Sequence, residues 1–320
     1  MLRLAAPVAL LAFVAACGSV SPASNSDGSA IDAPLDAPPT AASACAQVAA
    51  ALCDRLDACS PTALKVFYGD KATCTTRANL SCTTDQGTSG IKRTPDDLVA
   101  CATALGPARC ADLLANQYPA ACDDMPGLVV NGAACGSNLQ CVSTYCNKMD
   151  AACGVCSPRQ QAGGDCTVDD GCVKGLVCAN KKCVTPGDVG ADCNPPNQPC
   201  RADLYCGKVM AKCLAKVGVG AACPDDQACD LTRGAVCIKG VCEMIDVAKA
   251  GDACGLPTKT VCTGFQGLGA GDPCSNLLTG GICARTAEDG TACGMDHKVC
   301  LAPATCVEGV CRLPSAPNCH

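Results

Sequence analysis

CTVDDGCVKGLVCANKKC, residues 166 to 183, spaces four cysteines five, five and four residues apart and has only three valines, a leucine and an alanine to bury. A stretch this short and polar cannot fold by burial, so covalent closure must stand in for a core. Nearly the same spacing, six, five and four, returns in CGMDHKVCLAPATCVEGVC, 293 to 311. Between residues 132 and 319 a Gly-x-x-Cys motif opens a cysteine-spaced segment seven times, at Gly132, Gly163, Gly190, Gly220, Gly251, Gly271 and Gly290. Most of the segments it opens follow one template: Cys, five to seven residues, Cys, four to seven, Cys, four to six, Cys. The segments opening at Cys254 and Cys274 hold two cysteines each and read as one divided repeat. The spacing predicts a string of disulfide knuckles leaning on their neighbours, with each leading glycine supplying a positive φ at the turn between knuckles.

Export is written at the other end of the chain. MLRLAAPVALLAFVAAC, 1 to 17, has one positive charge, Arg3, and an apolar run from Leu4 to Ala16, too short to span a bilayer but matching a secretory signal core. Val14-Ala15-Ala16-Cys17 resembles the lipobox of bacterial lipoproteins, which implies removal of residues 1–16 and acylation of Cys17. Two or three acyl chains, at about 0.8 kcal/mol per buried methylene, would give a firm membrane anchor. Gly18 and Ser19 lack an acidic retention signal, which points to the outer membrane of a Gram-negative bacterium. Residues 17–44 read as a lipidated cysteine and a disordered tether, small, polar and proline-punctuated, with an r.m.s. reach of roughly 30 Å.

Of 35 cysteines, 34 remain after Cys17, an even number and about 11% of the exported chain, a disulfide-scaffold density. The whole chain has no Trp and a net charge of -6, which argues against nucleic acid as a partner.

Residues 45–122 carry eight cysteines and a helical pattern: Cys45, Val48, Leu52, Leu56 and Cys59 share a face. Ser60-Pro61 opens a short helix that Gly69 ends. Thr94-Pro95-Asp96-Asp97 gives a cap, a proline at the first helical position and an acid three residues on, ahead of Leu98, Cys101 and Leu105. Gly106-Pro107 breaks that helix, and Cys110, Leu113, Leu114 and Tyr118 repeat the pattern. A bundle of four or five short helices with up to four disulfides is expected. Eight cysteines allow 105 pairings, so spacing assigns none.

Cys135 to Cys183 holds nine cysteines: Cys135, Cys141, Cys146, Cys153, Cys156, Cys166, Cys172, Cys178 and Cys183. With Tyr145-Cys146, the Cys-Gly-Val-Cys at 153 to 156 and the closing short-spaced cysteines, this stretch resembles the N-terminal cysteine-rich domain of Dickkopf proteins. It departs where that family has adjacent cysteines and this chain has Cys172 followed by Val173. The resemblance, over 132–183, implies a small stapled domain for protein recognition. Nine cysteines cannot all pair internally, and Cys319 is a candidate outside partner. Residues 190–319 continue the Gly-x-x-Cys repeats. The full layout also resembles bacterial surface lipoproteins.

Catalytic readings find little support. Histidine occurs only at 297 and 320, in a loop and at the end. Zinc needs reduced thiolates, which an exported chain does not keep. Asp123-Asp124, Asp169-Asp170 and Asp225-Asp226 could hold calcium but match no EF-type loop and fit turn residues better. GFQGLGAG, 264 to 271, lacks the lysine of a phosphate loop.

The expected fold class is small and disulfide-rich: a short α-helical domain, then an array of stapled knuckles with short β-hairpins and few regular elements. The expected function is a non-enzymatic, lipid-anchored extracytoplasmic binding or adhesion module. It takes no cofactor or metal and meets the membrane through its lipid and a protein or cell-surface ligand through its loops. A stapled protease inhibitor is the alternative, and a thiol oxidoreductase on Cys153 and Cys156 the third.

Overall fold

A computed structural model describes residues 38–320, apart from 115–116, 149–152, 196, 226, 256–257, 264–273, 275–278, 295–297, 302, 314–318 and 320. Its N-terminal part is helical: α1 (Ala41–Cys59), α2 (Pro61–Tyr68), α3 (Lys71–Gln86), α4 (Pro95–Leu105) and α5 (Cys110–Leu114). Thr40 and Thr94 each close a reciprocal capping box, with Ser43 and Asp97, and Asp70 caps α3 through its carboxylate at 2.7 Å from the Thr73 N–H. These caps satisfy amides that the first turn leaves without partners.

α1 and α3 run antiparallel under two disulfides, Cys45–Cys82 and Cys53–Cys74. Each helix places its two cysteines eight residues apart, about 12 Å along the axis, so one interval matches the other. Cys59–Cys110 and Cys101–Cys122 tie in α5 and the segment after it. The buried face of α1 is Ala44, Cys45, Ala49, Cys53 and Leu56, whereas Val48, Leu52 and Cys59 sit at its margin. Leu64, Leu105 and Leu113 complete a core made of leucine, alanine and sulfur. The helix expected to run through Tyr118 ends as α5 at Leu114; Tyr118 precedes Pro119, which disfavours helical backbone before it.

Six knuckles follow. The first holds β1 (Ala134–Cys135), β2 (Cys146–Asn147) and β3 (Gly154–Cys156) in a sheet of order β1-β3-β2. The second, third and fourth are antiparallel hairpins: β4 (Val177–Ala179) with β5 (Lys182–Val184), β6 (Leu204–Gly207) with β7 (Lys212–Ala215), and β8 (Ala235–Ile238) with β9 (Val241–Met244). The fifth is built on β10 (Asp246–Ala248), β11 (Ala253–Cys254), β12 (Thr260–Cys262) and β13 (Gly281–Ile282). The sixth has β14 (Arg285–Ala287) and β15 (Lys298–Cys300), then the hairpin of β16 (Thr305–Val307) and β17 (Val310–Arg312).

One covalent rule covers all six once Cys153, an extra cysteine in the first knuckle, is set aside: the first cysteine pairs with the third, and the second with the fourth. In the second knuckle these bonds are Cys166–Cys178 and Cys172–Cys183. The third and fourth cysteines face each other across the hairpin, Cys178 opposite Cys183, so their sulfurs reach in parallel to the two cysteines that precede them. Asn180 and Lys181, both at positive φ, make the two-residue turn that fits the twist of such a hairpin. Lys239-Gly240 and Glu308-Gly309 do the same. The divided fifth repeat obeys the rule as Cys254–Cys274 and Cys262–Cys283, so Gly271, outside the described residues, opens no knuckle of its own.

The leading glycine does its work inside its knuckle rather than between knuckles. Gly163, at φ 81°, turns its N–H onto the carbonyl of Cys183 at 2.8 Å, and the Cys183 N–H returns to the Gly164 carbonyl at 2.9 Å. The first bond recurs from Gly132, Gly190, Gly220, Gly251 and Gly290 to the fourth cysteine of each knuckle. This left-handed turn lays the first cysteine beside the hairpin, where its disulfide can close. The fold is thus small and disulfide-rich, with 17 disulfides and few regular elements beyond the helices and short hairpins.

Candidate binding surface

From Pro39 to the C-terminus the chain packs as one compact unit, because the knuckles bend back onto the helices. Ser137 of the first knuckle donates to the Asp85 carboxylate of α3, and the Gln140 amide reaches the Ser89 carbonyl at 2.8 Å. Lys174 of the second knuckle pairs with Asp123. The Ser60 hydroxyl, which also caps α2, bonds the Thr232 carbonyl beside the fourth knuckle's hairpin. In the sixth, Asp289 takes two bonds from Arg77 of α3, at 2.6 and 3.0 Å, while the same guanidinium bonds the Leu301 carbonyl.

The last link is covalent. Cys153 pairs with Cys319 across 166 residues, whereas the other disulfides join residues 11 to 51 apart. Cys156 pairs instead with Cys141. Cys153-Gly154-Val155-Cys156 is therefore no dithiol: it lies on and beside β3, with its two sulfurs in separate bonds. Gly154 has its own reason to be there. A Cβ on it would lie 2.3 Å from the Asn147 carbonyl oxygen, so only glycine lets β2 and β3 approach.

The nine cysteines singled out from the sequence lie in the first two knuckles, as Cys135–Cys146, Cys141–Cys156, Cys166–Cys178, Cys172–Cys183 and the outgoing Cys153. Three sulfurs in each knuckle crowd within 4.8 Å, Cys166, Cys172 and Cys183 among them, but every one is in a disulfide and none is a thiolate ligand. The acidic pairs have protein partners: Asp169 accepts from the Cys178 N–H at 2.7 Å, Asp225 from Gln227, and Asp124 pairs with Arg159. Cys17, His297, His320, Asp226 and the glycine-rich run at 264–271 lie outside the described residues.

Where the sixth knuckle meets the first and second, the fold leaves a groove of about 820 Å³ against α3. Its walls come from five separate segments: Thr84 and Asp85 from α3, Asp124 from the stretch that follows the helices, Asn147 and Lys148 from the first knuckle, Asp170 from the second and Arg312 from the sixth. Burial pushes the Asp85 carboxyl above its ordinary range, opposed by the Ser137 hydroxyl and Lys148. Asp124 is raised for the same reason, with Arg159 opposing. Burial lowers Lys148, which Asp85 partly offsets. Sequence reasoning missed the groove: Tyr145-Cys146, Asp123-Asp124 and Asp169-Asp170 stood out separately, and nothing in their spacing brings them together. A second exposed feature is the third knuckle's hairpin tip, where Val209 is 94% and Met210 60% exposed.

Among the described residues no helix is long and apolar enough to cross a membrane. No protein-family model matches the chain, and no solved structure matches it. Over an alignment 176 positions long that covers 52% of the chain, the sequence is 28% identical to cell-cell adhesion glycoprotein 64 of Heterostelium pallidum. The alignment covers 51% of the glycoprotein, so the chain spans about half the length of the curated relative it matches.

Proposed function

We propose that the protein is a non-enzymatic binding or adhesion module of a cell surface, displayed outside the cytoplasm on a lipid at Cys17 and a tether that ends where α1 begins at Ala41, a few residues before the expected boundary at 44. The observation that carries this is the disulfide array: all cysteines from Cys45 to Cys319 are paired, a state that belongs to an oxidising space. Stapled knuckles hold exposed loops in one conformation and so reduce the ordering cost of recognition. The adhesion glycoprotein relative supports the same class of function. The likeness of Cys135–Cys183 to a Dickkopf cysteine-rich domain adds protein recognition as a use of the first two knuckles, and the resemblance of Val14–Cys17 to a lipobox, with no acidic residue at Gly18 or Ser19, supports display on the outer membrane of a Gram-negative bacterium.

The test has two arms. Cells displaying the chain should adhere or aggregate more than cells expressing a Cys17→Ser variant, which should lose fatty-acid label and leave the membrane fraction. Label kept by that variant refutes the anchor. Equal adhesion with and without the displayed chain refutes the function.

A further inference from the structure

We propose that the groove between α3 and the first, second and sixth knuckles is a saccharide site, binding the polyhydroxylated rings of a cell-surface glycan. The inference deepens the adhesion function and rests on it.

The chemistry of the walls narrows the ligand. Carboxylates at Asp85, Asp124 and Asp170 face cations at Lys148 and Arg312, so a ligand of strong charge of either sign would meet like charge. Hydroxyl arrays avoid this cost because each hydroxyl both donates and accepts, answering carboxylate, amide and ammonium alike. The polar groups are also held in place. Asn138 donates from its amide nitrogen to Asp170 and accepts the Cys146 N–H at 2.8 Å, and Ser137 holds Asp85. Interleaved with them are Leu139, Val168, Val307 and Leu313, aliphatic surface of the kind the C–H face of a sugar ring covers.

Other ligands fit less well. A peptide adding to the sheet would need the free edge of β2, but the Cys146 N–H is already taken by Asn138. A nucleic acid would meet a chain of net charge -6. The volume falls within the ~300–1,000 Å³ of small-ligand sites, enough for a short oligosaccharide. Disulfides brace the knuckle walls, so little ordering is left to do on binding.

The experiment is binding of the full, oxidised chain to an array of immobilised oligosaccharides spanning neutral hexoses, N-acetylhexosamines and uronic acids, followed by titration of the best-retained one. Asn147→Ala and Arg312→Ala, both at surface-reaching positions, should each weaken that binding at least tenfold while the alkylatable thiol count stays at zero. No retained oligosaccharide, or unchanged titration of both variants, overturns the saccharide site. Cell adhesion separates the two levels of inference. Adhesion by the wild type that survives both variants overturns the groove and leaves the adhesion function standing, whereas a wild type that does not adhere refutes that function itself.

Discussion

Removing the ring-closing bond with Cys153→Ser and Cys319→Ser together should release the sixth knuckle without unfolding it. The bond spans 166 residues, but the two disulfides in each intervening knuckle shorten the effective loop to about 100 residues, for which chain entropy gives about 4.7 kcal/mol at 25 °C. What remains is non-covalent: Arg77 on Asp289 and on the Leu301 carbonyl, charge-assisted bonds worth roughly 1.5 to 3 kcal/mol each. The covalent term is therefore as large as the docking contacts it reinforces. Cys293–Cys306 and Cys300–Cys311 stay intact, so the knuckle keeps its own hairpin. In a urea series followed by small-angle scattering, the double variant should expand at lower denaturant than the wild type, by roughly 3 to 5 kcal/mol in the linear extrapolation. Coincident scattering curves with the same midpoint would refute the reasoning, because docking would then stand on its side-chain contacts alone.

Gly154→Ala should push β2 from β3, since the new Cβ meets the Asn147 carbonyl oxygen at 2.3 Å; a loss of roughly 1 to 3 kcal/mol and a lower yield of correct disulfides on oxidative refolding are expected, and an unaltered yield would count against the close approach. Thr94→Ala removes half of the α4 capping box and should cost about 1 kcal/mol in urea, with a matching drop in helical circular dichroism near the transition. Asp85→Asn tests the groove's electrostatics. A carboxyl held above its ordinary range takes up more protons folded than unfolded, so its contribution favours the folded state in acid and declines as pH rises from the ordinary carboxylate range through the raised value. The variant should therefore lose less stability than the wild type between pH 4 and pH 7, and parallel curves would show that Asp85 is not desolvated.

The knuckles were legible because their information is local. Cysteine spacing and the glycine three residues ahead define a unit whose partners, Cys153 and Cys319 apart, lie within it, and α2 and α4 announced themselves through Ser60-Pro61 and Thr94-Pro95-Asp96-Asp97. α3 was not legible. KATCTTRANLSCTTDQ is threonine-rich and buries only Cys74, so it lacks an apolar stripe; two sulfurs hold it to α1. Its signals were Asp70 directly after Gly69 and the eight-residue interval of Cys74 and Cys82, which repeats that of Cys45 and Cys53. The groove left no trace in the sequence because its walls converge only after the array has curled, and Arg77 lies 212 residues from Asp289.

The crossed pairing within the knuckles, the overlapping bonds among the helices and the single long bond from Cys153 to Cys319 decide what a protease can do to this molecule. Cys45–Cys82, Cys59–Cys110 and Cys101–Cys122 overlap, so no one cut between 45 and 122 separates the chain into two pieces. Cys135–Cys146, Cys141–Cys156 and the long bond give the same immunity from 135 to 319. Between those two blocks lies DDMPGLVVNGAA, residues 123–134, where the backbone is the only covalent path. Hydrogen bonds from Leu128 to Gly90 and from Val129 to Gln140, and the grip of Lys174 on Asp123, hold its backbone in place, although Leu128 and Val130 are exposed. Separation of the knuckle array from the helices by a single nick is thus confined to those twelve residues, and everywhere else in the stapled body two hits are needed.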